Sequence, residues 1–263
     1  MDRGSEDKTN IRKGCCPMKK AELLILLLLL AGLLVFGKNL GKQVSSSAVI
    51  AEQTDGQKGD EQKTEKKLTR RGEGKTVVLD PGHGGNDPGK VGANSVKEKD
   101  VNLQIAMKTK KLLEKEGVRV IMTRDKDQDL AGDSDHNRKV QDMKARVKLI
   151  NDAMPVLTVS IHQNSYQDPS VKGAQVFYYS HSKEAERAAE ILKQALLTVE
   201  ESGTREKKAA DSYYLLKKTE VPVVIVECGF LSNPEEAKRL TDSAYQKELA
   251  KAVAEGILTC LNE

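Results

Sequence analysis

Thr76-Val77-Val78-Leu79-Asp80-Pro81-Gly82-His83-Gly84-Gly85 is the stretch on which the fold turns. A β-branched, apolar run meets an Asp-Pro-Gly turn signal, so a buried strand should give way to a loop with His83 just beyond the strand's end. The pattern recurs twice: Val156–His162 runs into Gln163-Asn164, and Val221–Glu227 runs into Cys228-Gly229. Val118–Thr123 and Ala174–Tyr179 are two further strand candidates. Between them lie helical faces: Val101, Ile105, Ala106, Leu112 and Leu113, closed by Gly117; Met143, Val147 and Ile150; and Ala185, Ala188, Ala189, Leu192, Ala195, Leu196 and Val199. Tyr245, Leu249, Val253 and Gly256 begin a last one. Near-continuous apolar strands alternating with helices imply an α/β fold, a three-layer sandwich with a mostly parallel central sheet flanked by helices. In such a sheet, ligands and catalysis collect outside the carboxyl ends of the strands.

Composition narrows the function. The chain has 263 residues, 31% charged and only 3% aromatic, with no Trp. It lacks the aromatic surface on which a single-strand nucleic-acid binder stacks bases. Residues 1–74 hold 14 Lys/Arg against 10 Asp/Glu, which accounts for the whole net charge of +4. The remainder is electrically balanced, so no nucleic-acid partner follows from charge. The four cysteines show neither a disulfide framework nor zinc spacing. Cys228, beside Glu227, reads as a small buried hydrophobe rather than a nucleophile.

The first 20 residues form a basic terminus with six Lys/Arg against three acids. An uncharged run, Leu23 to Gly37, comes next, within a segment spanning 21–37. A positive flank before an apolar run keeps the terminus inside and exports the chain beyond the run. The segment reads as a membrane anchor or signal segment, and we favour the uncleaved anchor. Residues 38–74 are rich in Ser, Gln, Gly, Lys and Glu and read as a flexible linker. The folded domain should occupy 75–263 and lie outside the cytoplasm, membrane-anchored, or secreted if the signal is cleaved. Asp125 to Lys139 reads as a polar loop, either a lid or a surface excursion.

His83, His162 and Glu227 each fall at a strand end, and two imidazoles with carboxylates match the donor set of a catalytic zinc site. Bland readings compete at each position. The glycines around His83 suit a tight turn, but a phosphate loop fails on spacing. Ser95-Val96-Lys97-Glu98 fits a capping box, with Asp100 as a rival N-cap, so locally Glu98 reads as structural. His162 could be a satisfied core histidine, its neighbours Val159 and Ile161 pointing to the opposite face. A carboxylate such as Glu227 at the end of a buried strand is costly without a nearby cation. His136 and His181 sit in polar contexts and read as surface residues.

VVLDPGHGGNDPG (77–89), KEKDVNLQIA (97–106), VSIHQNS (159–165) and VIVECGFLSN (224–233) together resemble the zinc-dependent N-acetylmuramoyl-L-alanine amidases of bacterial cell walls, the type 3 amidases. The resemblance spans about 75–263. It implies one Zn²⁺ held by His83, Glu98 and His162, with Glu227 as the catalytic residue, and so overrides the capping reading of Glu98. The implied reaction is hydrolysis of the amide between the lactyl group of N-acetylmuramic acid and L-alanine in peptidoglycan. Asp80 is a candidate to orient an imidazole, and Asn164 to contact substrate. GAQVFYYSHS (173–182) and the segment from Asp211 to Asn233 resemble the germination-specific, spore-cortex subgroup. In that setting the product would feed a polysaccharide deacetylase that forms muramic lactam. The 125–139 loop is longer than in the general pattern. Two alternatives stand beside this reading: a non-catalytic peptidoglycan-binding anchor protein, and a zinc deacetylase or peptidase acting on another wall bond.

Overall fold

Strands buried on both faces need helices on both sides, and the sequence supplies them in alternation. The computed structural model describes residues 70–92, 95–132, 137–199 and 203–263. The basic terminus, the apolar run and nearly all of the linker lie outside the described residues, as do Cys15, Cys16 and His136. In chain order the elements are β1 (Thr76–Pro81), α1 (Glu98–Lys115), β2 (Arg119–Met122), α2 (Arg138–Ala153), β3 (Leu157–Asn164), β4 (Gln175–Tyr178) and α3 (Lys183–Leu196). They continue with β5 (Lys208–Ala209), α4 (Tyr214–Lys218), β6 (Val223–Phe230), α5 (Pro234–Thr241) and α6 (Ser243–Asn262).

The six strands lie in the order β2-β1-β3-β6-β4-β5. β2, β1, β3 and β6 are mutually parallel; β4 runs antiparallel to β6 and carries β5 parallel to itself at the edge. The sheet is therefore mixed, with a parallel centre. β1 is followed by a crossover through α1 to β2 on one side, while β3 lies on its other side. This strand-order switch between β1 and β3 opens a crevice at their carboxyl ends.

Side chains alternate across the sheet with a period of two. Val77, Leu79, Val159, Ile161, Val224, Val226 and Cys228 face the larger core beneath α1, α3 and α6. Val78, Val223 and Ile225 face the smaller core with Ile150 of α2 and Leu215 and Leu216 of α4. α3 buries Ala185, Ala188, Ala189, Leu192 and Leu196, the face its spacing implied. Ser182 caps it by accepting from the Ala185 amide at 3.1 Å. α5 starts on an equally local signal: Asn233 accepts from the Glu235 and Glu236 amides, with Pro234 at the first helical position.

The face shared by α2 and α4 is also where charge is buried. Asp80, on β1, accepts from Arg146 Nη1, Thr123 Oγ1 and Ser160 Oγ, each at 2.6 Å. Arg146 also donates to Asp142 at 2.8 Å, so its guanidinium is shared between two carboxylates. Burial pushes the Asp80 carboxyl up, but Arg146 and the two hydroxyls outweigh it and hold it at about 2. Its folded value lies below the unfolded one, so the stability it supplies is present above about pH 4 and is lost as pH falls toward 2. The lost increment is on the order of 2 kcal/mol. Asp80→Asn should lower stability by about 3 kcal/mol near neutrality, because it strips one carboxylate from a buried guanidinium. It should also flatten the decline between pH 4 and 2, which urea denaturation at stepped pH will measure.

Candidate metal centre

Three separate local structures bring His83, Glu98 and His162 together. β1 ends at Pro81, and the chain turns sharply so that His83 takes a left-handed conformation, φ 62°. For a non-glycine residue that costs roughly 1–2 kcal/mol, so surrounding contacts must hold it. His162 lies within β3, with Val159 and Ile161 on the opposite face as their alternation requires. Glu98 opens α1, whose N-cap is Lys97 with no side-chain cap. The capping-box reading of Glu98 and the N-cap reading of Asp100 are thus both corrected: the Glu98 carboxylate turns away from its own helix start and toward the histidines.

One ligand atom from each of the three residues lies within 4.8 Å of the others. Glu98 Oε2 sits 3.1 Å from His83 Nε2, and Glu98 Oε1 sits 2.9 Å from His162 Nδ1. The imidazoles meet edge to face, their centroids 5.0 Å apart. Backbone amides fix the carboxylate, Lys90 donating to Oε2 at 2.8 Å and Gln163 to Oε1 at 3.2 Å. Burial pushes the Glu98 carboxyl up, yet the hydrogen bonds and fields of His162 and His83 hold it well below the usual carboxylate range. Burial pulls the His162 imidazole down, but Glu98 and Glu227 raise it on balance.

The contacts of His83 test whether this set suits a cation. Its Nδ1 donates to Asp87 Oδ2 at 2.8 Å, since a carboxylate can only accept. A neutral imidazole has one N–H, so its Nε2 presents a lone pair to the Glu98 oxygen. Such a pair needs a proton or a metal ion between its members. A histidine whose outer nitrogen is held by a carboxylate is the usual form of a metal ligand. The donor set of two nitrogens and one carboxylate oxygen fits a divalent ion of the zinc type.

Glu227 completes the cluster. Its register partner across β3 and β6 is His162, which places both on the same sheet face. The residue is 9% exposed, and among the described residues its Oε2 has no hydrogen-bond partner. Burial pushes the carboxyl up to about 7, reinforced by Glu98 and opposed by His162 and His83. All four residues line a cleft of about 530 Å³, bounded also by Asn164 and Tyr213. Tyr213 is steadied edge to face against Phe177, centroids 5.6 Å apart. Gly82 forms part of the floor, and any Cβ there would overlap the His162 ring.

Asp80 does not orient an imidazole: it points into the sheet face where Arg146 meets it, and Asp87 performs that contact on His83. Asp87, Arg124, Arg146 and Tyr213 were not singled out from the sequence. For Asp87 a signal existed, an Asp-Pro-Gly turn four residues after the histidine. Asn164 lines the cleft, with its Oδ1 accepting from the Ser165 amide. His181 is exposed and Cys228 is buried, as their contexts implied.

Residues 77–259 match the family model described as N-acetylmuramoyl-L-alanine amidase. The chain is 40% identical over 193 residues to the germination-specific N-acetylmuramoyl-L-alanine amidase of Bacillus subtilis, covering 72% of this chain and 81% of that relative. A probable cell wall amidase of Staphylococcus epidermidis is 33% identical over 189 residues, which is 70% of this chain and 57% of that relative. Among solved structures, the CwlD amidase from Clostridioides difficile, determined in complex with the GerS lipoprotein, superposes with a TM-score of 0.68 at 37% identity. The match covers 71% of this chain and 98% of that one. The amidase AmiC2 of Nostoc punctiforme gives 0.64 at 34% identity, covering 73% and 100%. Fold, cleft and sequence agree, and the chain belongs to the N-acetylmuramoyl-L-alanine amidase family.

Proposed function

We propose that this protein is a zinc-dependent amidase that cuts the bond between the lactyl group of N-acetylmuramic acid and L-alanine in peptidoglycan, acting on spore cortex. The observation that carries the chemistry is the convergence of His83, Glu98 and His162 beside a buried carboxylate, Glu227, one oxygen of which has no partner among the described residues. The cortex assignment rests on the likeness to the germination-specific relative.

His83, Glu98 and His162 would hold the ion, with Asp87 fixing the His83 ring. Zinc bound there would supply a Lewis acid for the scissile carbonyl and for water at neutral pH. Glu227 then carries the proton traffic. Its carboxylate takes a proton from the attacking water as oxygen adds to the lactyl carbonyl carbon. As the C–N bond breaks, Glu227 returns that proton to the departing amine of L-alanine. A group that exchanges its proton near neutrality can perform both transfers, and burial gives Glu227 that property. The freed products are a stem peptide with an amino terminus and a glycan whose muramic acid keeps its lactyl carboxylate.

In a cortex pathway, that glycan carboxylate would be substrate for a deacetylase-coupled lactam closure. The catalytic domain would act outside the cytoplasm, tethered through residues 21–37 by the linker 38–74. The carbohydrate deacetylase and the membrane are thus the expected pathway link and attachment site.

Mass analysis of digested peptidoglycan tests the bond. Release of stem peptide with lactyl-bearing glycan is expected, whereas free glucosamine amines or cuts within the peptide would contradict it. Glu227→Gln should lower kcat by about 10²–10⁴-fold while one zinc per chain is retained. Metal loss in that variant, or near-normal turnover, would contradict the role given to Glu227. Asp87→Asn should weaken zinc binding by about 10–100-fold, read by chelator competition.

A further inference from the structure

Arg124 follows β2, and it is 2% exposed. Among the described residues no carboxylate lies in ion-pair contact with it, unlike Arg146, which has Asp80 and Asp142. Its donors go to main-chain carbonyls instead. Nε donates to Pro81 O at 2.9 Å, Nη1 to Lys126 O at 3.2 Å, and Nη2 to both Gly82 O at 3.0 Å and Lys99 O at 2.8 Å. A buried cation without a carboxylate in contact is costly and is kept only where its full hydrogen-bonding fork is used.

The positions of those carbonyls matter. Gly82 immediately precedes His83, and Lys99 immediately follows Glu98. One planar guanidinium therefore bridges the two segments that carry separate ligands of the candidate metal centre, 15 residues apart in sequence. The left-handed turn at His83 is pinned by a second arginine, because Arg146 Nη2 donates to His83 O at 2.7 Å. Gly84 offers a second, independent observation. A Cβ there would stand 2.9 Å from both Cδ and Nε of Arg124 and would overlap Gln128 O. The loop is thus built to lie directly on the arginine.

We propose that Arg124 is a positioning residue for the metal centre: by tying Gly82 to Lys99 it fixes the separation of His83 from Glu98 and so sets metal affinity. The proposal rests on the zinc reading above. Lysine at this position keeps the charge but cannot span the same carbonyls, since its three donors radiate from one nitrogen. A merely structural arginine would show its loss in unfolding, with the affinity of the folded protein unchanged.

The test uses full-length protein, with zinc affinity measured by competition against a chromogenic chelator. Apo-protein thermal unfolding is followed in parallel for wild type, Arg124→Lys and Arg124→Gln. Expected is a 10–100-fold weaker zinc dissociation constant in each folded variant, with the apo unfolding temperature of Arg124→Lys close to wild type. Guanidinium ion added to Arg124→Gln should recover part of the affinity, which a change in overall charge would not explain. Unchanged affinity in a folded variant overturns the proposal. So does failure of both variants to fold, which would assign Arg124 to the fold as a whole. Absence of zinc binding by the wild type is a separate outcome, and it would remove the underlying metal reading instead.

Discussion

The register of the parallel strands is the constraint on which this molecule depends. Asp80 pairs with Ser160 across β1 and β3, and His162 with Glu227 across β3 and β6. Because side chains alternate, these four share one face of the sheet, while Leu79, Ile161 and Val226 are committed to the other. A slip of one residue in β3 would send His162 into the apolar core and bring Ile161 to the cleft. The apolar face makes such a slip expensive, so the core and the site are fixed by the same pairing. The geometry of the cluster is a by-product of ordinary hydrophobic alternation, used where the strands end and helix α1 begins.

That arrangement forces charges into the interior. Arg146 and Arg124 are both almost fully buried, and they serve different ends. Arg146 is neutralised by Asp80 and Asp142 and joins α2 to β1. Arg124 relies on carbonyls alone and joins the His83 loop to the start of α1. Burial and the nearby Arg146 pull its guanidinium down to about 10, which still leaves it charged at neutral pH. Carboxylates hold the side chain instead: Asp87 contacts the His83 ring, and Glu98 contacts both imidazoles. The loop is held between cationic grips on its carbonyls and anionic grips on its side chain. A non-glycine residue can then persist at positive φ beside the chemistry.

Sequence carried the fold further than it carried the site. The runs Thr76–Asp80, Val156–His162 and Val221–Glu227 are apolar enough to be read as buried strands, and the α3 face follows directly from its spacing. The strand ends were less legible: His162 and Glu227 lie inside their strands, because β3 and β6 each continue past the polar residue. β5 is two exposed residues, Lys208 and Ala209, with no apolar pattern to reveal it. α5 could have been read from Asn233-Pro234 and the two glutamates after them. Glu98 was ambiguous for a physical reason: its neighbours satisfy a local capping rule, and only pairing with residues 15 before and 64 after it decides the matter. Nothing local in the sequence singles out Arg124 or Arg146, since burial of a guanidinium depends on carbonyls and carboxylates that converge only in three dimensions. The misplaced role of Asp80 has the same origin, for nothing local shows that Arg146 waits beside it.

Everything proposed for the cleft requires one divalent ion among His83, Glu98 and His162, next to Glu227. An anomalous-difference map from zinc-soaked crystals tests it most directly. One strong peak is expected about 2.0–2.2 Å from an imidazole nitrogen of each histidine and from a Glu98 oxygen, with Glu227 uncoordinated. A peak that recruits Glu227 in place of Glu98, or no peak within this cluster at saturating zinc, would contradict it.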